Sequence, residues 1–297
     1  MAKELSILCH LSMDTFCEMF HVCLFLKPYA RRTTTPSSHL SSHNRQKKRP
    51  RFGCDTISSY LCTLVMKIFG IGMNYRQHAA EMEKKAPGRS GGTGEAYADP
   101  VVFTKCDSAL VTRGRPFFIP DYTRECEYEA ELVVRICRMG RSISERFAHR
   151  YYDAVTVGVD FTARDLQRRL RADGLPWDIA KGFDGSAVIG DFRDFCGHEA
   201  PVLGGSTGRY EGHRVAEMLS HGIGFHLDIN GQTVQKGCSA DMIHSVDHLV
   251  SYISRFFTLK TGDLIFTGTP VGVGPVHIDD HIEGWLDGEK VLEFNVK

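Results

Sequence analysis

From residue 66 onward the chain alternates short apolar runs with Gly and Pro punctuation, a pattern that predicts strands. The runs fall at Lys67–Ile71, Val101–Thr104, Tyr128–Ile136, Ala154–Asp160, Ile223–Ile229 and Asp263–Thr267. Helical spacing of apolar positions appears in Gln77–Lys85, Ser144–Tyr152 and Met242–Phe257. Strand and helix do not follow one another in a regular βαβ alternation, which argues against a Rossmann or TIM layout. The turn Gly72-Met73-Asn74-Tyr75 also lacks the G-x-G-x-x-G spacing of a dinucleotide site. A β-rich α+β fold is expected over residues 66–297.

Residues 1–65 read differently. Between Met19 and Cys54 there is no acidic residue, while Lys27, Arg31, Arg32, Arg45, Lys47, Lys48, Arg49 and Arg51 are basic. The stretch Thr33–Ser42 has neither period, and a segment this polar buries too little apolar surface to offset its ordering entropy. Its Arg- and Ser-rich character resembles a transit peptide, although Glu4, Asp14 and Glu18 come first. Met66 opens a credible first strand, so the segment is read as an N-terminal extension, a disordered or targeting stretch, or a product of start-site choice.

Composition narrows the class. The 297 residues carry 36 basic and 36 acidic side chains, so no global field pulls toward nucleic acid or a membrane. No apolar run approaches the roughly 18 to 20 residues that span a bilayer, and Met19–Leu26 is short and broken by His21. None of the ten cysteines forms a C-x-x-C pair, and no zinc-type spacing is present. A reducing intracellular compartment, cytoplasmic or mitochondrial, is expected.

The candidate chemistry begins with Glu129 and Glu131. Side chains two apart on a strand share a face, so both carboxylates face the same way. Such a pair is destabilising unless something cationic intervenes. A hard divalent ion is one solution; an exposed acidic face neutralised by Arg135 or Arg138 is the other. Asp160 ends an apolar strand, where it can ligate a metal or cap the following turn. Arg164 and Gln167 share a helix face at i, i+3, as do His78 and Glu81, the second pair matching a general base with its orienting carboxylate or a plain surface contact. Lys181 sits among small and apolar residues and can neutralise an anion or snorkel from a strand edge. The turn Thr267-Gly268-Thr269-Pro270 offers backbone N–H groups and two hydroxyls as a carboxylate cradle. Gly88–Gly94 is either a mobile lid or a surface insertion.

In chain order these pieces resemble the fumarylacetoacetate hydrolase superfamily. The matches are Gly72-Met73-Asn74-Tyr75 with His78-x-x-Glu81, Tyr128-Glu129-Ala130-Glu131-Leu132, Asp160-x-x-Ala163-Arg164-Asp165-x-Gln167, Lys181-x-Phe183-Asp184 and Thr267-Gly268-Thr269-Pro270-x-Gly272-Val273-Gly274. Gly174-Leu175-Pro176-Trp177 ahead of Ala180-Lys181 is similar to the acylpyruvase and oxaloacetate decarboxylase branch. The resemblance implies a mixed β-sandwich roll, usually a homodimer, acting on a small 2-oxo or diketo acid. It further implies that Glu129, Glu131 and Asp160 hold Mg²⁺ or Mn²⁺ and that His78 and Glu81 activate water. Lys181 and Gln167 would orient water or substrate oxygens, Arg164 and Thr269 would contact the substrate carboxylate, and Lys105 would line the same pocket. Met73 departs from the Arg or Leu of close relatives, and Lys84–Asp99 and Cys196–His221 look longer than in compact ones. Alternatives are isomerisation or decarboxylation of a 2-oxo diacid, or a non-catalytic binding protein with a basic arm.

Overall fold

The computed structural model describes residues 66–77, 98–112, 114–193 and 208–297. Most of the helix expected at Gln77–Lys85, with His78 and Glu81, lies outside the described residues, as do the loop Gly88–Gly94 and residues 1–65.

The strands are β1 (Ile68–Gly72), β2 (Val101–Lys105), β3 (Leu110–Thr112), β4 (Cys126–Tyr128), β5 (Ala130–Ile136), β6 (Tyr152–Asp160) and β7 (Thr162–Ala163). Helices α1 (Arg164–Asp173) and α2 (Asp178–Lys181) follow, then β8 (Ala187–Ile189), α3 (Gly208–His221), β9 (Gly224–Ile229) and β10 (Gln232–Cys238). The chain continues through α4 (Val246–Phe256), β11 (Leu264–Phe266), β12 (Gly274–Pro275), β13 (His281–Leu286) and β14 (Glu289–Asn295). Seven strands form one mixed sheet in the order β2-β1-β11-β5-β6-β8-β3; β10-β9-β13-β14 and β12-β4-β7 form two smaller ones. This is a strand-rich α+β fold with a curled mixed sheet. Among the described residues no helix is long and apolar enough to cross a membrane.

The central strands are apolar on both sides because both faces of the large sheet are covered. In β5, Leu132 and Val134 join the main core with Val155, Val157 and Val159, whereas Val133 points into a second cluster with Ile68, Leu264 and Phe266. Helix α4 seals part of the main core through Val246, Leu249, Val250 and Ile253.

Three expected elements differ in extent. The run Tyr128–Ile136 is two strands, not one: Glu129 interrupts it, so that β4 pairs with β7 and β12 while β5 enters the large sheet. Ser144–Tyr152 yields only a 3₁₀ turn at Glu145–Arg150, because Tyr152 is claimed by β6, where it pairs with Ile136. Helix α4 starts at Val246, not Met242, because the Ser245 hydroxyl caps it by accepting from His248 N at 3.2 Å.

Strand direction explains where the site lies. Since β5 is antiparallel to both β6 and β11, the start of β5 lies beside the ends of those two strands. Strand β1 runs parallel to β11, so its end also reaches this edge of the sheet.

Candidate active site

Glu129 immediately precedes β5, Glu131 is its second residue, and Asp160 is the last residue of β6. All three are buried, and each offers an oxygen within 4.8 Å of the others. The residues expected to mask an exposed acidic face are engaged elsewhere: Arg135 pairs with Asp153, and the Arg138 guanidinium lies over the Tyr151 ring. Nor does Asp160 cap a helix. Ala163 occupies the N-cap position of α1, and both Asp160 oxygens face cations.

Those cations come from three elements. Lys181, at the end of α2, bridges Glu129 Oε2 and Asp160 Oδ2 at 2.7 Å each. Its side chain is 3% exposed, which rules out the snorkelling arrangement. Lys105, at the end of β2, pairs with Asp160 Oδ1 at 2.7 Å and donates to Ser186 Oγ and to the backbone oxygens of Lys181 and Ser186. It thus stands fully buried behind Asp160, with its ammonium engaged by the protein itself. Arg164 reaches Glu127, Glu129 and Gln167, each at 2.5 Å. Three carboxylates, Glu127, Glu129 and Asp160, meet three cations.

Glu131 is the exception, since its recorded partner is the Gly268 N–H at 2.7 Å. Burial first, then the charges of Asp160 and Glu129, holds its carboxyl well above the usual range. Burial lowers Lys105; burial also acts to lower Lys181, but the charges of Asp160 and Glu129 together outweigh it and raise that ammonium.

The glycine-rich turn after β11 therefore cradles a carboxylate of the protein itself. Gly268 takes φ +99°, and a Cβ there would meet Asn74 Cβ at 2.7 Å. The Thr267 hydroxyl turns inward to Leu132 O, and the Thr269 hydroxyl donates to Ala130 O. Two buried amides that sequence reasoning missed lock this geometry. Asn74 joins Thr267 O to the His244 backbone. Gln235 of β10 accepts from Ala130 N at 2.8 Å and donates to Thr269 Oγ1 and Pro270 O. A register shift between Thr233 and Gln235 accompanies this inward placement, and no local sequence pattern announces it.

A cleft opens onto this cluster, lined by Glu129, Lys181 and Thr269, by Arg164, Gln167 and Arg171 of α1, and by Met73, Phe103 and Trp177. Met73 holds φ +58°, a conformation that side chains other than Gly adopt at some cost.

Residues 67–297 match the family model described as fumarylacetoacetate (FAA) hydrolase C-terminal. The chain belongs to the fumarylacetoacetate hydrolase family. Members of this family are enzymes that act on keto acids. Oxaloacetate tautomerase FAHD1, mitochondrial, of Bos taurus is 33% identical over 227 residues, covering 76% of this chain and 90% of that relative. The crystal structure of fumarylpyruvate hydrolase from Pseudomonas aeruginosa in complex with Mn²⁺ and pyruvate matches with TM-score 0.63 and 33% identity, over 78% of this chain and 89% of that one. The 5-carboxymethyl-2-hydroxymuconate delta-isomerase from Mycobacterium smegmatis matches with TM-score 0.59 and 28% identity, over 79% of each chain. This fumarylacetoacetate hydrolase family chain thus shares its fold with hydrolases, isomerases and tautomerases.

Proposed function

We propose that the chain is a divalent-metal-dependent hydrolase that cleaves a C–C bond in acylpyruvates and releases pyruvate, with oxaloacetate decarboxylation as a second activity. The observation that carries this reading is the buried triad of Glu129, Glu131 and Asp160 bordered by Lys181. Three hard oxygen donors at this spacing fit Mg²⁺ or Mn²⁺, and Glu131, buried and among the described residues not in ion-pair contact with a cation, is the acid that a bound ion would complete. The second acid cluster, His281, Glu283 and Glu293, is more open, and Lys290 already pairs with both its glutamates. The pyruvate and Mn²⁺ of the Pseudomonas relative support the same choice.

In this reading Glu129, Glu131 and Asp160 hold the ion, and Lys105 keeps Asp160 in place from behind. The ion when bound supplies Lewis-acid polarisation of the 2-oxo group. His78, oriented by Glu81, takes a proton from water as its oxygen adds to the distal carbonyl. The bond from that carbonyl carbon to the methylene then breaks, its electron pair passing to the methylene carbon as an enolate. Protonation gives pyruvate, and the acyl part leaves as a carboxylic acid. The Lys181 ammonium offers fixed positive charge where oxygen becomes anionic. Gln167 orients water or substrate oxygen, Arg164 receives the substrate carboxylate, and Thr269, its hydroxyl donated to Ala130 O, lines the substrate pocket beside it.

The catalytic domain in this proposal is residues 66–297 acting as a homodimer, with residues 1–65 outside it; the mitochondrial relative supports an intracellular site of action. A second reading, keto–enol interconversion or isomerisation of a 2-oxo diacid, is favoured by the tautomerase and isomerase relatives. Purified protein with MgCl₂ and a panel of diketo acids and oxaloacetate separates the two. Pyruvate release from acetylpyruvate that Glu129→Gln abolishes supports hydrolysis. Loss of enol absorbance without pyruvate supports the second reading, and no change with any substrate refutes both.

A further inference from the structure

Arg171 stands apart from the other cations of the cleft. Arg164 is tied to Glu127, Glu129 and Gln167, Lys181 to Glu129 and Asp160, and Lys105 to Asp160. On a helix, positions i, i+3 and i+7 recur along one stripe, so Arg171 follows Arg164 and Gln167 on the same face of α1. It is half-buried and lines the cleft beside Phe103 and Trp177, whose ring centroids lie 6.4 Å apart. The recorded ion pairs of α1 are those of Arg164 and of Arg168 with Glu125; among the described residues no carboxylate pairs with Arg171.

A guanidinium remains charged at every working pH and presents a planar fork matched to a carboxylate. Held half out of water without an internal counter-ion, it gains most from an anion that enters the cleft. Seven helical residues separate it from Arg164, a rise of about 10 Å, so one substrate engaged near Lys181 extends toward Arg171 along the aromatic wall. We propose that Arg171 is a specificity-determining residue that grips a carboxylate at the far end of the substrate. This chain therefore prefers 2-oxo acids with a terminal carboxylate to those with an uncharged end. The inference rests on the 2-oxo-acid reading above.

The test is calorimetric titration of the full chain, with MgCl₂ present, by 2-oxoglutarate and by 2-oxopentanoate. These probes share the 2-oxo acid head and five-carbon length, and neither contains the 1,3-dicarbonyl unit that cleavage requires. Wild-type protein should bind 2-oxoglutarate at least about tenfold more tightly, the scale of one charge-assisted hydrogen-bonded contact. Arg171→Met should abolish that preference and Arg171→Lys should keep part of it. Arg169→Met, which removes a charge from an exposed position of the same helix, should leave the preference intact. Equal wild-type affinities, or a preference that survives in Arg171→Met, overturn the assignment even if both probes bind. If neither probe binds, the 2-oxo-acid reading falls and the inference falls with it.

Discussion

Replacing Glu131 with Gln should stabilise the metal-free protein and remove its response to metal. The three carboxylates have oxygens no more than 4.8 Å apart. At that separation each like-charged pair repels by at least about 3.5 kcal/mol for an effective dielectric constant near 20. Glu131 takes part in two such pairs, and the neighbouring ammonium groups contact Glu129 and Asp160 instead. A glutamine keeps an oxygen to accept from Gly268 N while dropping the charge. Because the raised Glu131 carboxyl already relieves part of this repulsion by holding a proton, and burying the amide has its own cost, a net gain of about 1 kcal/mol is expected, raising Tm by roughly 2–4 °C in a domain of this size. Wild-type protein should gain about 2.7 kcal/mol from Mg²⁺ at a hundredfold excess over Kd. The variant should lose most of that gain, so the order of the two melting temperatures reverses between EDTA and MgCl₂. Thermal unfolding under both conditions measures this directly. A variant that melts below wild type in EDTA yet keeps the full Mg²⁺ increment would falsify the role given to Glu131.

Lys181→Met leaves two buried carboxylates without their shared cation, so chemical denaturation of the metal-free variant should show a loss of about 3 to 5 kcal/mol. Gly268→Ala forces a side chain into φ +99° and against Asn74; a stability loss of about 1 to 3 kcal/mol is expected, with weaker Mg²⁺ binding because the Glu131 cradle shifts. Ser245→Ala removes the cap of α4 and should cost about 1 kcal/mol with kcat unaltered, since α4 carries none of the proposed catalytic groups. Burial acts to raise the Asp165 carboxyl, but hydrogen bonds from Arg124 N, Thr123 Oγ1 and Leu166 N hold it below the usual range. Its stabilisation is therefore complete above the unfolded value near 3.9 and disappears as pH falls through the lower folded value. The stability deficit of Asp165→Asn at neutral pH should accordingly vanish in acid, and a deficit that persists at pH 2 contradicts this assignment.

Much of this arrangement was legible because it depends on local periodicity. The spacing of Glu129 and Glu131, the strand-terminal Asp160 and the shared face of Arg164 and Gln167 are properties of a few neighbouring residues. The break at Glu129 was not legible, because it arises where β4 and β5 pair with different sheets, a long-range choice. Lys105 was reached only through the family resemblance and Gln235 not at all, for a related reason: their partners lie tens of residues away in sequence, and a lone Lys or Gln carries no period. The Thr267 hydroxyl misled because a turn's sequence shows which donors exist but not which way they face.

The carboxylate triad also ties the proposed metal site to complete chain assembly. Glu129 and Glu131 both lie at the start of β5, but the amide that holds Glu131 belongs to Gly268, 137 residues later. The strand leading to that glycine must first insert between β1 and β5, the middle of the large sheet. Closing so long a loop is slow compared with forming local helices. A nascent chain that has not reached β11 thus exposes acidic groups without their finished cage, and in the proposed reading metal uptake would report that the C-terminal strands have found their place.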